Sequence, residues 1–430
     1  MTSLEEMLDL VGPYAAVTVA PNRQQAAYCP PWYYSYAASI LNQEGGGRHR
    51  HPRETTGGGR SDRIGTARAV SVIEAMERAA LRSPPADLLT APAHAVPSAV
   101  PLTDLPVCSE RELADPRCPL NSPDPAAPIR WVEGVELPHG TPVHLPAVIV
   151  YTAPPRDDAE NFWLPISNGA AAGFTWESAL LSGVLEVLER DIVSTLWLQR
   201  LSLPRLPASL LSPLTRRLVG WCERKYTRVH LFDATTEIGL PTVYCVLEAP
   251  HDPVAERVVA ACTKLDFDSA ARAALTEALY LRPLVHRSAE NPEEADLLVR
   301  GAVWIGGPEG EGALDFLLDD GGPGGDRGPA PEPSRAVTPP PGTDERTLLR
   351  WLVGRCRDAG HPVYAVDLTT PDLRSVGLRV AKAVIPSLQP LNFHPHAQYL
   401  GHPRLHTLPG LLGQRALPES QLNPHPQPFA

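Results

Sequence analysis

The 430-residue chain has no Cys-x-x-Cys pair, and its cysteines number seven, an odd count. A disulfide scaffold and a zinc ribbon are therefore not expected. No apolar run reaches the roughly 20 residues that a membrane span needs. No charged-then-apolar segment opens the chain, which begins MTSLEEMLDL. Basic charge is in deficit: 38 Lys and Arg stand against 49 Asp and Glu, a net charge of −11. That balance argues against electrostatic binding to nucleic acid or to anionic membrane. Neither a Walker A sequence nor a GxGxxG turn with its acidic follower occurs. The expectation is a cytoplasmic protein with reduced thiols.

What the chain has in excess is proline, at 49 residues. The excess falls at 83–106, at 323–341 and at the extreme C-terminus. Elsewhere the apolar periodicity is ordinary, so the prolines mark linkers and not general disorder. With 43% hydrophobic and 20% charged residues, the chain can bury a large core and form two or three structural units.

Residues 45–60, GGGRHRHPRETTGGGR, read as a loop. Thr66–Leu81 has helical spacing and stops before Ser83-Pro84-Pro85. Residues 83–130 read as irregular connection, 142–154 as a strand region and SNGAAAG (167–173) as a tight turn. Thr175 is a helix N-cap for a helix reaching about Leu198. Strands are expected at 228–235, 240–249 and 258–265, with an alanine-rich helix over 268–282. The segment 321–342 reads as a linker. A helix (343–359), a strand (362–369), a short helix and an apolar segment (379–386) follow. This mixture is α+β and not a βαβ repeat.

Three helices share one pattern: ARAVSVIEAMER (67–78), ALLSGVLEVLER (179–190) and AARAALTEALYLR (270–282). With Glu74, Glu186 and Glu277 aligned, an alanine sits seven residues upstream of each. Glu74 and Glu77 are at i and i+3, as are Glu186 and Glu189, so each pair shares a helical face. Those faces are otherwise apolar, and a carboxylate buried alone is costly. Arginines or a hard divalent cation would relieve it; Mg²⁺ takes carboxylate and phosphate oxygens together. Arg78, Arg190 and Arg282 could neutralise phosphate directly. A plainer reading treats Glu74/Arg78 and Glu186/Arg190 as surface i,i+4 ion pairs. The near-duplication of the pattern favours a shared binding role. Gly-rich segments before the first two helices offer backbone N–H groups to an anion, though a plain turn explains them as well.

SNGAAAGFTWESALLSGVLEVLERD (167–191) resembles the core signature of YcaO-domain proteins. GGGR…ARAVSVIEAMER (57–78), ALTEALYLR (274–282), PVYAVDLTTPDL…GLRVAKAVIPSLQPL (362–391) and LGHPRL (400–405) resemble further parts of that domain. The resemblance implies a YcaO-type ATP-binding fold of mixed sheets and alanine-rich helices. By position, Glu74, Glu77, Glu186 and Glu189 would bind Mg²⁺, Arg190 and Arg282 would contact phosphate, and Asn168 would sit in the nucleotide pocket. Three positions depart from the family pattern. The serine expected before the first glutamate falls on Val70, with Ser71 adjacent; an acidic residue falls on Ser178, with Glu177 adjacent; and a glutamine falls on Tyr280. The implied organisation is an N-terminal extension or interaction region (1–56), an ATP-binding domain (57–420) and a tail (421–430).

The tail reads NPHPQPFA, with Pro424, Pro426 and Pro428 forming a stiff extended run. It resembles the PxPxP end of azoline-forming family members. The resemblance implies a cyclodehydratase that uses ATP and Mg²⁺ on Cys, with Ser or Thr as the alternative residues, of a ribosomal precursor peptide. The base would be the carboxylate of Ala430 or the imidazole of His425. A separate leader-peptide-binding or ThiF-like partner would deliver the peptide, and a homodimer is compatible with the sequence. Thioamide or macroamidine formation, or a non-catalytic scaffold, are the alternatives. His394, His396, His402 and His406 have no metal-ligand spacing, His49 and His51 read as solvated, and Cys262 reads as a small apolar residue. The aromatics at 32–36 read as core or interface.

Overall fold

The computed structural model describes residues 19–23, 29–41, 54–291, 296–318 and 336–429. His49, His51, most of the Pro/Gly-rich linker and Ala430 lie outside them.

Strands β1 (Val19–Arg23), β2 (Tyr34–Leu41) and β3 (Glu54–Ser61) form an antiparallel sheet on which α1 (Ile64–Leu81) packs. Residues 54–61 are thus a strand and not the loop their composition suggests. β2 pairs with β3 along its whole length, which holds the glycines extended, and the Gly58 N–H on the other edge goes to a side chain. The glycines then serve close approach. A Cβ on Gly57 would stand 2.2 Å from the Ala75 nitrogen, and one on Gly59 would stand 1.9 Å from the Ala67 carbonyl oxygen. The facing residues of α1, Ala67, Ser71 and Ala75, are fully buried. The alanines of α1 are there because the helix rests on bare backbone. The same sheet draws Val19–Arg23 and Tyr34–Leu41 of the expected extension into contact with the domain.

The central sheet runs β4 (Leu89–Ala91), β5 (Ile129–Leu137), β11 (Val363–Asp367), β12 (Arg379–Val384) and β7 (Ala170–Gly173), with β6 (Thr141–Pro146) paired to β5. The connection before β5 carries β4 and the short α2 (Glu110–Ala114). The expected strand at 142–154 ends at Pro146 and becomes α3 (Ala147–Val150). The Gly/Ala turn is confined to Ser167–Gly169, because Ala170–Gly173 pairs with β12 as an edge strand.

Helix α4 (Trp176–Gln199) is the spine of the molecule. Thr175 and Ser178 close a reciprocal capping box at its start. Almost every side chain after Ala179 is buried, as expected for a helix enclosed on all sides. It packs on β7 and β12, and on the last strand of a third sheet. After α5 (Pro213–Glu223), that sheet comprises β8 (Arg228–Asp233), β9 (Thr242–Glu248) and β10 (Arg257–Thr263), with α6 (Phe267–Ala289) against it. α6 continues through Pro283, beyond the expected end at 282. α7 (Leu297–Gly306), α8 (Asp315–Leu318), α9 (Glu345–Asp358), α10 (Pro371–Ser375) and α11 (Pro403–Leu411) complete the helices of the described residues.

The LGHPRL segment has a mechanical role. Arg404, 3% exposed, binds Asp191 of α4 at 2.7 Å and Glu237 at 2.7 Å. Beyond it, residues 424–429 run extended across α4 and α7. Trp197 donates to the His425 carbonyl (3.2 Å), and the His425 ring stacks on Trp304 at 4.5 Å. Phe429 is 1% exposed.

The glycine–alanine contact yields a paired test. Gly57→Ala should destabilise by about 2 kcal/mol or more, because backbone must shift. Gly65→Ala, in α1 with nothing within 4 Å of the new Cβ, should stabilise by about 0.5–1 kcal/mol. Guanidinium denaturation of both variants measures it, and equal effects would contradict the close packing.

Candidate active site

A cleft of about 520 Å³ opens where the first sheet meets α1, α4 and α6. Glu74, Glu77 and Arg78 reach it from α1, Glu186 and Arg190 from α4, and Glu277 and Arg287 from α6, with Arg60 on β3 and Asn168 in the Gly turn. The three related helices therefore present acidic and basic groups to one space. Both expected i,i+4 ion pairs exist: Arg78–Glu74 at 2.5 Å and Arg190–Glu186 at 3.4 Å. They face a common cleft and not separate surfaces. The Gly58 N–H donates to Glu74 (2.8 Å), and the Gly169 N–H donates to Glu186 (3.1 Å). The glycine backbone ahead of each helix thus holds a cleft carboxylate in place.

Other expected site residues lie elsewhere. Glu189 turns toward β10 and accepts the Thr263 N–H at 3.0 Å, just behind the cleft wall. Arg282, 2% exposed, pairs with Asp252 at 2.7 Å and donates to Thr227 at 3.1 Å. It is on the buried face of α6, and Arg287 takes a place on the cleft instead. Ser71 is sealed beneath β3 and donates to the Arg68 carbonyl. Glu177 sits in the first turn of α4, away from the cleft. Pro424 and His425 line a separate cavity of about 790 Å³, while Pro426 and Pro428 belong to the extended run. Its Phe429 ring lies 4.8 Å from the Arg190 guanidinium. Ala430 is outside the described residues.

Two cleft-side groups had gone unmarked. Arg287 was hidden because the helix was expected to stop before Pro283. Lys382, on β12, is 2% exposed and donates to the Ile166 carbonyl at 3.0 Å. The available signal was scarcity: the chain has only three lysines, Lys225, Lys264 and Lys382, and one of them interrupts an apolar strand.

Crowded charge shows in the titration of these groups. Burial, then the Glu186 and Glu74 carboxylates, push Glu77 well above the ordinary range. Burial pushes Glu189 up to about 7, opposed by Arg190 and reinforced by Glu277 and Glu186. Burial pulls Lys382 down to about 8 against the attraction of Glu186 and Glu77.

Among the described residues, no three His, Cys, Asp or Glu side chains are grouped closely enough to hold a metal. The donor set fits an ion that arrives with its own oxygens. Mg²⁺ usually binds one or two carboxylates together with substrate phosphates and water. The arginines suit the phosphates, and the buried Arg190 Nε has no acceptor. The cleft volume is in the range of small-ligand sites.

Fold and cleft together define an α+β domain in which three glutamate-bearing helices border one charged cleft. The chain belongs to the YcaO family: the family model, described as YcaO cyclodehydratase, ATP- and Mg²⁺-binding, matches residues 58–389. Solved structures share the fold. A heterocyclase in complex with substrate and cofactor is 22% identical with a TM-score of 0.80, covering 100% of this chain and 57% of that one. The chain thus spans little more than half of that protein. YcaO from Methanopyrus kandleri, bound with AMPPCP and Mg²⁺, is 22% identical with a TM-score of 0.61, covering 86% of each chain. A chain of the E. coli microcin synthetase McbBCD complex is 12% identical with a TM-score of 0.58, covering 86% of this chain and 88% of that one. No helix among the described residues is long and apolar enough to cross a membrane.

The raised Glu189 sets a pH dependence of the unliganded fold. The folded state holds this proton more tightly than the unfolded chain, so its stabilisation is full below about 4.5 and is lost as pH rises through about 7. Thermal midpoints should fall between pH 5 and 7.5, and Glu189→Gln should flatten that decline while keeping the acceptor for Thr263. An unchanged slope in the variant would assign the effect elsewhere.

Proposed function

We propose that the chain is an ATP-dependent cyclodehydratase, converting Cys, with Ser or Thr as the alternative residues, of a ribosomal precursor peptide into azoline rings. One observation carries the reading: Glu74, Glu77, Glu186 and Glu277 share a single cleft with Arg60, Arg78, Arg190 and Arg287. The heterocyclase likeness and the family match support the choice of chemistry.

Bound ATP with Mg²⁺ would supply the phosphoryl group that makes the amide oxygen a leaving group. The balance is amide plus ATP giving azoline, ADP and phosphate, with one water lost from the peptide. Glu74 and Glu186, each already fixed by a backbone N–H, would offer carboxylate oxygens to the ion alongside the phosphates and need little reorganisation, with Glu77 beside them in the cleft. Arg78, Arg190 and Arg287 would neutralise phosphate oxygens. Mainly, the protein positions reactants and compensates charge. The stacked ring of His425 lies on another cavity and is given no role as base. Delivery of the peptide by a separate leader-binding protein agrees with the multi-protein microcin synthetase that shares the fold, and the setting would be the cytoplasm.

The test is direct. With precursor peptide, partner protein and Mg²⁺–ATP, mass spectrometry should show loss of one water per ring. Glu186→Gln should lower peptide-dependent ATP hydrolysis by about 100-fold or more with the thermal midpoint nearly unchanged. Full activity in that variant would remove the assigned role.

A further inference from the structure

Beside the acidic cleft lies a second, smaller cavity of about 50 Å³, and the two share Asn168 and Arg190 in their walls. It is ringed by apolar side chains, among them Ile149 and Ile166, and by three buried polar residues, Lys382, Gln389 and Trp163. The polar groups in this wall are unusual in being unfulfilled. Trp163 Nε1, Arg190 Nε and Gln389 Oε1 are all buried without a hydrogen-bond partner. Lys382 has three protons to give and one acceptor, the Ile166 carbonyl. A buried polar group left unpaired costs about 1–3 kcal/mol, so four in one wall call for a ligand.

Their kinds specify it. The wall holds three donors and one acceptor. The acceptor is fixed: the Gln389 amide donates through Nε2 to the carbonyls of Gln398 (2.9 Å) and Tyr399 (3.3 Å), so flipping the amide would place an oxygen against two oxygens. A peptide group is the complement of this wall, with a carbonyl oxygen for the donors and an N–H for Gln389 Oε1. A bare oxyanion would use the donors and meet Gln389 Oε1 with repulsion. At roughly 10–15 Å³ per water-sized occupant, the space suits a peptide group with a small side chain.

We propose that this cavity receives the backbone amide that is to be activated, with Lys382 and Arg190 on its oxygen and Gln389 on its N–H. Because Arg190 also borders the nucleotide cleft, that oxygen would lie beside the triphosphate. The assignment rests on the cyclodehydratase reading for the fate of the amide, but binding can be measured without ATP.

The probe is N-acetylcysteine methylamide, ¹³C-labelled at the acetyl carbonyl and titrated into the full chain in the absence of nucleotide. A saturable downfield carbonyl shift is expected. Lys382→Met and Gln389→Leu should each weaken the probe at least tenfold, while Lys382→Arg, which keeps donors, should retain the shift. Should the Met variant fail to fold, the Arg and Leu variants decide between the two outcomes. Inorganic phosphate at equal concentration should not displace the probe. No shift with the native chain, unaltered binding in Gln389→Leu, or displacement by phosphate would overturn the proposal. A chain that binds the probe in this way but removes no water from a precursor would instead overturn the cyclodehydratase reading alone.

Discussion

Carboxylates gathered at one poorly solvated cleft repel each other, and much of the surrounding architecture exists to hold them together. Glu74 is fixed by a glycine N–H of β3, Glu186 by a glycine N–H before α4, and each is paired with the arginine one turn on. Lys382 adds a buried ammonium from the opposite side. Even so, Glu77 and Glu189 retain protons more firmly than free carboxylates do. In the function proposed above, a divalent cation bound with phosphate would replace protons as the neutralising species.

Holding the helices at that spacing falls to contacts far from the chemistry. α1 can approach its sheet because Gly57 and Gly59 leave it bare. α4 is anchored at Asp191 by Arg404, which reaches across from a segment more than two hundred residues later. These are structural duties performed by motifs that a sequence comparison would group with the site. Arg282 is the clearest case: it belongs to the repeated Glu-and-Arg pattern, yet its guanidinium is spent on Asp252 in the interior.

Legibility followed periodicity. The three alanine-rich helices, the capping Thr175 and most strands could be read, because 3.6- and 2-residue spacing survives in a single sequence. Which helical face carries Glu74, Glu77 and Glu186 could also be read. What failed was whatever depends on long-range pairing. Gly57–Gly59 looks like a loop until β2 pairs with it, and Ala170–Gly173 looks like a turn until β12 does. Likewise, Glu189 and Glu186 are one turn apart, and only the neighbouring β10 decides that Glu189 points at Thr263. Lys382 is remote in sequence from every helix it serves, and only its rarity in an apolar strand marks it.

Helix α4 contributes side chains to three of the apolar clusters in turn: Ala179–Leu188 to one, Ile192–Trp197 to a second and Leu198 to a third. Opening any one cluster therefore tugs at the same rod. Its mid-helix amide hydrogens can exchange with solvent only when the whole molecule opens. A chain severed within this helix would leave two fragments, each with a core missing one wall, whereas cuts in the exposed connections on either side would spare it.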